Sequence, residues 1–186
     1  LQGHPDRLKL PGVEMSSGPL GLGASVAVGC ALGLRLRTSP AGVFCLLGDG
    51  EIQEGIVWEA AMSASKYSLG NLTFLLDYNR YQLSAAVDRV MPIEPLEQKW
   101  QSFGFGVHRI DGHNIEQIME ALDGQQSEQP RLILALTVKG KGVSFMESSS
   151  AWHGRVPSQE EMAAAEQEIG GSLEAIAPVP AAGRKS

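Results

Sequence analysis

The chain has 186 residues, of which 43% are hydrophobic, enough for one domain with a sizeable core and too many for wholesale disorder. Fifteen basic against 21 acidic side chains leave a net charge of −6, which argues against a non-specific nucleic-acid binder. No apolar run approaches the roughly 20 residues that a membrane-spanning helix needs. Two cysteines cannot build a disulfide framework. Cys30 and Cys45 both lie in apolar patterns and are expected to be small buried hydrophobes in a reducing compartment. No basic-then-apolar leader opens the chain, so a cytoplasmic location is expected. The chain begins at Leu1 and not at methionine, as a fragment or a processed chain does, and the sequence leaves open whether a segment precedes it.

Taken in order, residues 19–36 predict a helix rich in Ala, Leu and Val, with Pro19 as a first helical residue. Residues 42–47 (GVFCLL) predict a strand that ends in Gly48-Asp49-Gly50. Residues 55–68 predict a helix with Ile56, Ala60 and Ser63 on one face, stopped at Leu69-Gly70. A second strand, 72–77, ends at Asn79, and a third and fourth are expected over 106–110 and 131–138. These runs are apolar throughout and not alternating, which suits strands covered on both faces. Between the last two, residues 114–123 predict a helix capped by Asn114, with Ile115, Ile118, Met119 and Leu122 apolar. From Ser158, a capping-box pattern with Glu161 opens an amphipathic helix. Strand and helix alternate, so the predicted fold is α/β, a mostly parallel sheet flanked by helices. The domain is expected over residues 1–170, with 171–186 a flexible tail.

In such a sheet, ligands bind beyond the carboxyl ends of the strands. Gly48-Asp49-Gly50 stands at one such end, where glycine lets backbone N–H groups approach a ligand and the following helix start favours phosphate. Asp49 is a hard oxygen donor suited to Mg²⁺. Asn79 stands at the end of the next strand, one strand–helix–strand step away, and an amide oxygen is a second donor of the same kind. Either feature alone reads as a turn. Together, each behind an apolar strand, they read as a metal–diphosphate site.

Gly48-Asp49-Gly50-Glu51-Ile52-Gln53-Glu54-Gly55, followed by Trp58-Glu59-Ala60, Leu69-Gly70-Asn71-Leu72 and Asp77-Tyr78-Asn79, resembles the thiamine-diphosphate signature of transketolases. Gly3-His4-Pro5, Gly12-Val13-Glu14, Gly18-Pro19-Leu20-Gly21 and Trp152-His153-Gly154 are similar to further blocks of that family, so the resemblance runs from Gly3 to about Arg155. It implies the thiamine-diphosphate-binding fold, with thiamine diphosphate and Mg²⁺, or another divalent cation, as cofactors. It implies Asp49 and Asn79 as metal ligands by side chain and Tyr81 by its carbonyl. Gly50 would offer its N–H to the diphosphate, and Gly18 and Leu20 would line the cofactor. Glu54 matches a glutamate in a relay between two active sites. His4 and His153 match histidines that contact substrate or diphosphate, and Arg155 stands where a basic residue could meet phosphate. The family often has glutamine where Leu22 stands and threonine where Ser16 and Ser17 stand, differences that bear on the branch and donor and not on the cofactor.

His108 reads as a packed or edge-strand histidine, and Asp111-Gly112-His113-Asn114 as a turn into a helix. Lys139-Gly140-Lys141-Gly142 lacks the spacing of a phosphate loop and reads as a turn. Trp58 is assigned to core or interface. Full transketolases also carry an upstream helical segment, a pyrimidine-binding domain and a third domain. The implied protein is therefore the N-terminal subunit of a split transketolase of carbohydrate metabolism and the pentose phosphate pathway. It would pair with a C-terminal subunit that supplies the activating glutamate, as a heterotetramer or a dimer of such pairs. It would move a two-carbon ketol unit from a ketose to an aldose, with no nucleic-acid or membrane partner. A 1-deoxyxylulose-5-phosphate synthase-like or 2-oxo acid dehydrogenase E1-like component, a truncated interaction module and an unrelated Mg²⁺-phosphate hydrolase are the alternatives.

Overall fold

All four expected strands form: β1 (Val43–Gly48), β2 (Leu72–Tyr78), β3 (Gly106–Asp111) and β4 (Arg131–Leu136). The structure is a computed structural model that describes residues 3–123 and 128–173. Among these residues the sheet has four strands, all parallel, in the order β1-β2-β4-β3. Leu46 pairs with Leu75 and Leu75 with Ile133, while Gly48 stands opposite Asp77. The ends of β1 and β2 are therefore level, and whatever follows them meets at one sheet edge.

One face of the sheet is fully covered. Helices α1 (Leu22–Leu36), α2 (Gly55–Lys66), α3 (Val87–Val90) and α4 (Leu96–Ser102) follow in chain order, before α5 (Ile115–Leu122) and α6 (Gln159–Leu173). Leu47, Phe74, Leu76, Leu132 and Leu134 pack against α1, α2 and α4 in the main core. Trp100 is its largest fully buried side chain, with Trp58 at 5.0 Å and Phe105 at 5.0 Å between ring centroids. The segment from 80 to 105, for which the sequence pattern predicts no element, thus supplies much of the aromatic core. Among the described residues the other face is covered by α5, whose Ala121, Ile118 and Leu122 pack on Ile110 and Ile133. Phe44 and Leu46 of β1 lie on that side beyond the reach of α5 and are 54% and 72% exposed. The expectation that every strand is covered on both faces holds for β2 and β4 and fails for β1 and the edge strand β3.

Three helix expectations change. α1 starts at Leu22 and not at Pro19, because Gly21 takes a left-handed conformation (φ 77°) and breaks the helical path. A side chain there would also meet Ile56 Cγ2 at 2.5 Å. The buried stripe of α2 is Val57, Ala60, Ala61 and Ala64, one residue round from the predicted face. On α5, Asn114 is the cap, accepting the Gln117 N–H, but Ile115 and Met119 are exposed. Cys30 is exposed, since the buried stripe of α1 runs through Ala24, Ala27, Val28 and Ala31 and misses it. The capping box at Ser158 and Glu161 forms. α6 continues through Gly170 and Gly171 to Leu173, and the rest of the expected tail, 174–186, lies outside the described residues.

Candidate functional site

Asp49 emerges from β1 into the interior and is 2% exposed. Its Oδ1 accepts the Gly50 N–H at 2.7 Å, and its Oδ2 accepts the Arg80 N–H from the loop after β2. Burial pushes its pKa up to about 6, against the lowering by those two N–H groups; the Asp77 charge raises it further and Lys139 lowers it. A buried carboxylate is costly to ionise without a compensating charge, and a bound cation would supply one. Asn79 stands beside it, with Oδ1 accepting the Tyr81 N–H at 2.9 Å and Nδ2 donating to Asp77 Oδ2 at 3.2 Å. Tyr81 bridges to Ala86, and the bonds of that bridge run through Arg80 and Gln82 to Val87 and Ala85. The Tyr81 carbonyl is left out of the pairing.

The close packing at Gly50 explains its residue type. A Cβ there would lie 2.9 Å from Gln82 Cβ, so the loop after β2 closes directly over the Gly50 backbone. Among the described residues no group of three His, Cys, Asp or Glu could cage a metal unaided. The donor set is instead one carboxylate, one amide oxygen and one carbonyl. It fits a hard cation that keeps open positions for phosphate oxygens or water.

Glu51, which nothing in the local sequence singles out, organises the approach to this site. Its Oε1 accepts the Gly21 N–H at 2.8 Å and its Oε2 the Gly48 N–H at 3.0 Å. One carboxylate thus moors the 18–21 loop to the end of β1. The only signal in the sequence is an acid two residues after the strand-end aspartate, and its long-range acceptor role needs the fold. Asp77 and Thr137 join the ends of β2 and β4, with the Thr137 hydroxyl donating to Asp77 Oδ1. Lys139, read as part of a turn, brings positive charge towards Asp49. The turn reading itself holds, with Gly140 at φ 74° against the Met146 carbonyl.

The remaining expected residues surround this centre at different depths. The chain before α1 folds back through Ser17 N–H to the Pro5 carbonyl and Arg7 N–H to Ser16 Oγ. That brings His4 over Gly18, where an added Cβ would meet His4 Nδ1 at 3.1 Å. Leu20 is 59% exposed. Glu54 is exposed at the cap position of α2, and its side chain makes no capping bond. His153 is exposed directly after the short turn Ser150–Trp152. Arg155 lies against Trp152 and pairs with Glu161. Trp58 is core, its indole N–H donating to the Ile52 carbonyl. His108 is exposed on the edge strand, and His113 Nε2 accepts the Val138 N–H at 2.8 Å, a structural tie between two loops.

Comparison with known proteins agrees with this geometry. The family model described as transketolase, thiamine diphosphate binding domain, matches residues 1–182. An apulose-4-phosphate transketolase subunit of Actinobacillus succinogenes is 39% identical over 170 residues, 91% of this chain and 62% of that protein. The 6-deoxy-6-sulfo-D-fructose transketolase subunit SqwG of a Clostridium species is 40% identical over 171 residues, again 91% and 62%. The crystal structure of transketolase from Campylobacter jejuni superposes with a TM-score of 0.83 at 33% identity, covering 90% of this chain and 28% of that one. The chain therefore spans less than two thirds of the length of these relatives. With its parallel sheet, its strand-end donors and a family match along nearly the whole sequence, the chain belongs to the transketolase thiamine-diphosphate-binding domain family.

Proposed function

We propose that this chain is the component of a two-chain transketolase that anchors thiamine diphosphate and Mg²⁺, transferring a two-carbon ketol unit from a ketose to an aldose. The observation that carries the proposal is the buried carboxylate of Asp49 just past the end of β1, with Asn79 just past the end of the neighbouring parallel strand β2. The relatives named as separate transketolase subunits support the two-chain reading. When bound, thiamine diphosphate supplies the carbon nucleophile for the transfer. Asp49, Asn79 and the Tyr81 carbonyl would hold the cation, and the Gly50 N–H would turn from Asp49 to a diphosphate oxygen. Lys139 adds positive charge on the same side. Gly18 and Leu20 would line the cofactor, while His4 and His153 would donate to the sugar or the diphosphate. Glu54, exposed at the start of α2, would face a partner across an interface.

No residue of this chain is assigned to activate the cofactor, so a C-terminal subunit with a pyrimidine-binding domain would supply that glutamate. The assembly would be a heterotetramer or a dimer of such pairs. Two unpaired cysteines suit a reducing, cytoplasmic setting and a place in sugar metabolism such as the pentose phosphate pathway. Calorimetric titration of thiamine diphosphate into the chain mixed with a candidate C-terminal subunit, with and without Mg²⁺, tests the reading. Binding that needs both metal and partner is expected. Binding indifferent to Mg²⁺ would remove the metal assignment, and no binding with a folded partner present would favour an interaction module.

A further inference from the structure

The stretch between β4 and α6 folds around one aromatic side chain. The Trp152 indole N–H donates to the Phe145 carbonyl at 2.9 Å, and the two rings lie 5.4 Å apart. The Arg155 guanidinium carbon sits 4.2 Å from the Trp152 ring centroid, and the same guanidinium pairs with Glu161 Oε1. Glu161 is itself fixed by the capping box: its Oε2 accepts the Ser158 N–H at 2.8 Å, and its own N–H donates to Ser158 Oγ at 3.2 Å. Further along α6, Glu168 Oε1 accepts the Ser144 hydroxyl at 2.8 Å. Helix α6 thus grips this stretch at both ends. His153 lies in the chain between Trp152 and Arg155, the two members of the stack.

We propose that Arg155 is a positioning residue for His153, acting through Trp152 and Glu161, and is not a phosphate ligand. The inference rests on the reading of His153 as a group that faces cofactor or sugar. A guanidinium has one plane and a fork of N–H donors. Here one face of the plane lies on the indole and part of the fork is taken by a carboxylate. Engaging a phosphate through a bidentate fork would compete with Glu161. The His153 backbone N–H donates to the Ser150 carbonyl at 3.0 Å, so the turn that ends in the anchored Trp152 and the stack with Arg155 hold the backbone on both sides of His153. Supporting contacts of this kind are what hold a site group to the narrow tolerance that binding needs.

The test uses the full chain with Arg155→Ala, Arg155→Lys, Glu161→Gln and the double variant Arg155→Ala/Glu161→Gln. Far-UV spectra and melting temperature check folding. Amide hydrogen exchange across 150–156 is read on the chain alone. Thiamine diphosphate affinity is read with Mg²⁺ and the C-terminal partner, and KM is compared for phosphorylated and unphosphorylated donors. The expected result is faster exchange at His153–Arg155 in Arg155→Ala and in Glu161→Gln. Cofactor affinity should fall by about two- to fivefold, the range expected of an exposed cation–π contact. The double variant should be no worse than the weaker single, and lysine, which keeps charge without the planar fork, should rescue only in part. Unchanged exchange in Arg155→Ala would overturn the proposal. So would a KM raised only for phosphorylated donors, which would make Arg155 a substrate ligand. No cofactor binding by the wild-type chain, together with faster exchange in the variants, would overturn the functional reading and still support the clamp.

Discussion

The Arg80 backbone N–H donates to Asp49 Oδ2, so the loop leaving β2 is tied to the carboxylate leaving β1. This bond makes Asp49 both a structural acceptor and the centre of the candidate metal site. The two roles respond differently to substitution. Asn in place of Asp49 keeps one acceptor for a backbone N–H and removes the charge. Cation-dependent cofactor affinity should fall by at least about 100-fold, since loss even of supporting groups around a metal costs roughly 10–100-fold. Calorimetric titration with Mg²⁺ checks this, and an Asn variant with wild-type affinity would remove Asp49 from the metal site.

The raised pKa of Asp49 sets a pH dependence of unusual sign. Its folded pKa is about 6 against an ordinary 3.8. Below 3.8 both folded and unfolded chains hold the proton, and the group contributes nothing. Between 3.8 and about 6 the unfolded chain gives up a proton that the folded chain keeps, so this group's contribution to stability falls as pH rises. Above about 6 the penalty is constant. A divalent cation at the carboxylate offsets it, so Mg²⁺ should raise the melting temperature more at about pH 7.5 than at about pH 5. Thermal melts at the two pH values, with and without Mg²⁺, measure it. Equal shifts would show that the cation does not act through Asp49.

Glu51 accepts two backbone N–H groups, those of Gly21 and Gly48. Glu51→Gln offers one acceptor oxygen and turns an NH₂ towards the other donor. Destabilisation of about 1.5–3 kcal/mol is expected, the range for a lost charged hydrogen bond. Gly21→Ala should be at least as damaging, because its φ of 77° is combined with a 2.5 Å approach to Ile56. Urea denaturation midpoints of the two variants check both numbers. A midpoint unchanged for Glu51→Gln would mean that the 18–21 loop is held by other contacts.

The two cysteines should differ sharply in reactivity. Cys30 is exposed, whereas burial and then the Glu51 charge push the Cys45 thiol up to about 11. At about pH 8 a disulfide reagent should label one thiol quickly and the other at least about 100-fold more slowly, because the thiolate is the nucleophile. Cys30→Ser should abolish the fast phase. Persistence of that phase in the variant would place Cys45, not Cys30, at the surface.

Much of this molecule is legible in its residues alone. Strands β2 and β4 read as short, largely apolar runs, and that pattern reports their burial by a local signal. Asp49 and Asn79 belong together because one strand–helix–strand step in a parallel sheet makes consecutive strands neighbours, as β1 and β2 are. The caps at Asn114 and Ser158 are legible because a cap bonds to backbone only three residues away.

What the sequence does not carry is everything that depends on which surface a neighbour covers. The hydrophobicity of Phe44 and Leu46 says nothing of whether a helix lies above them, and only the position of α5 at the far side of the sheet leaves them open. Pro19 is a good local beginning for α1, whereas the start is displaced by the left-handed turn at Gly21, where Ile56, far along the chain, leaves no room for a side chain. The aromatic cluster of Trp58, Trp100 and Phe103 joins segments that share no period. Local chemistry, in short-range caps and strand runs, is determined by the sequence itself. The mooring by Glu51, the burial that shifts Asp49 and the clamp of Arg155 on Trp152 are decided by tertiary structure, because each arises only when separate segments bring charge, backbone and ring within bonding distance.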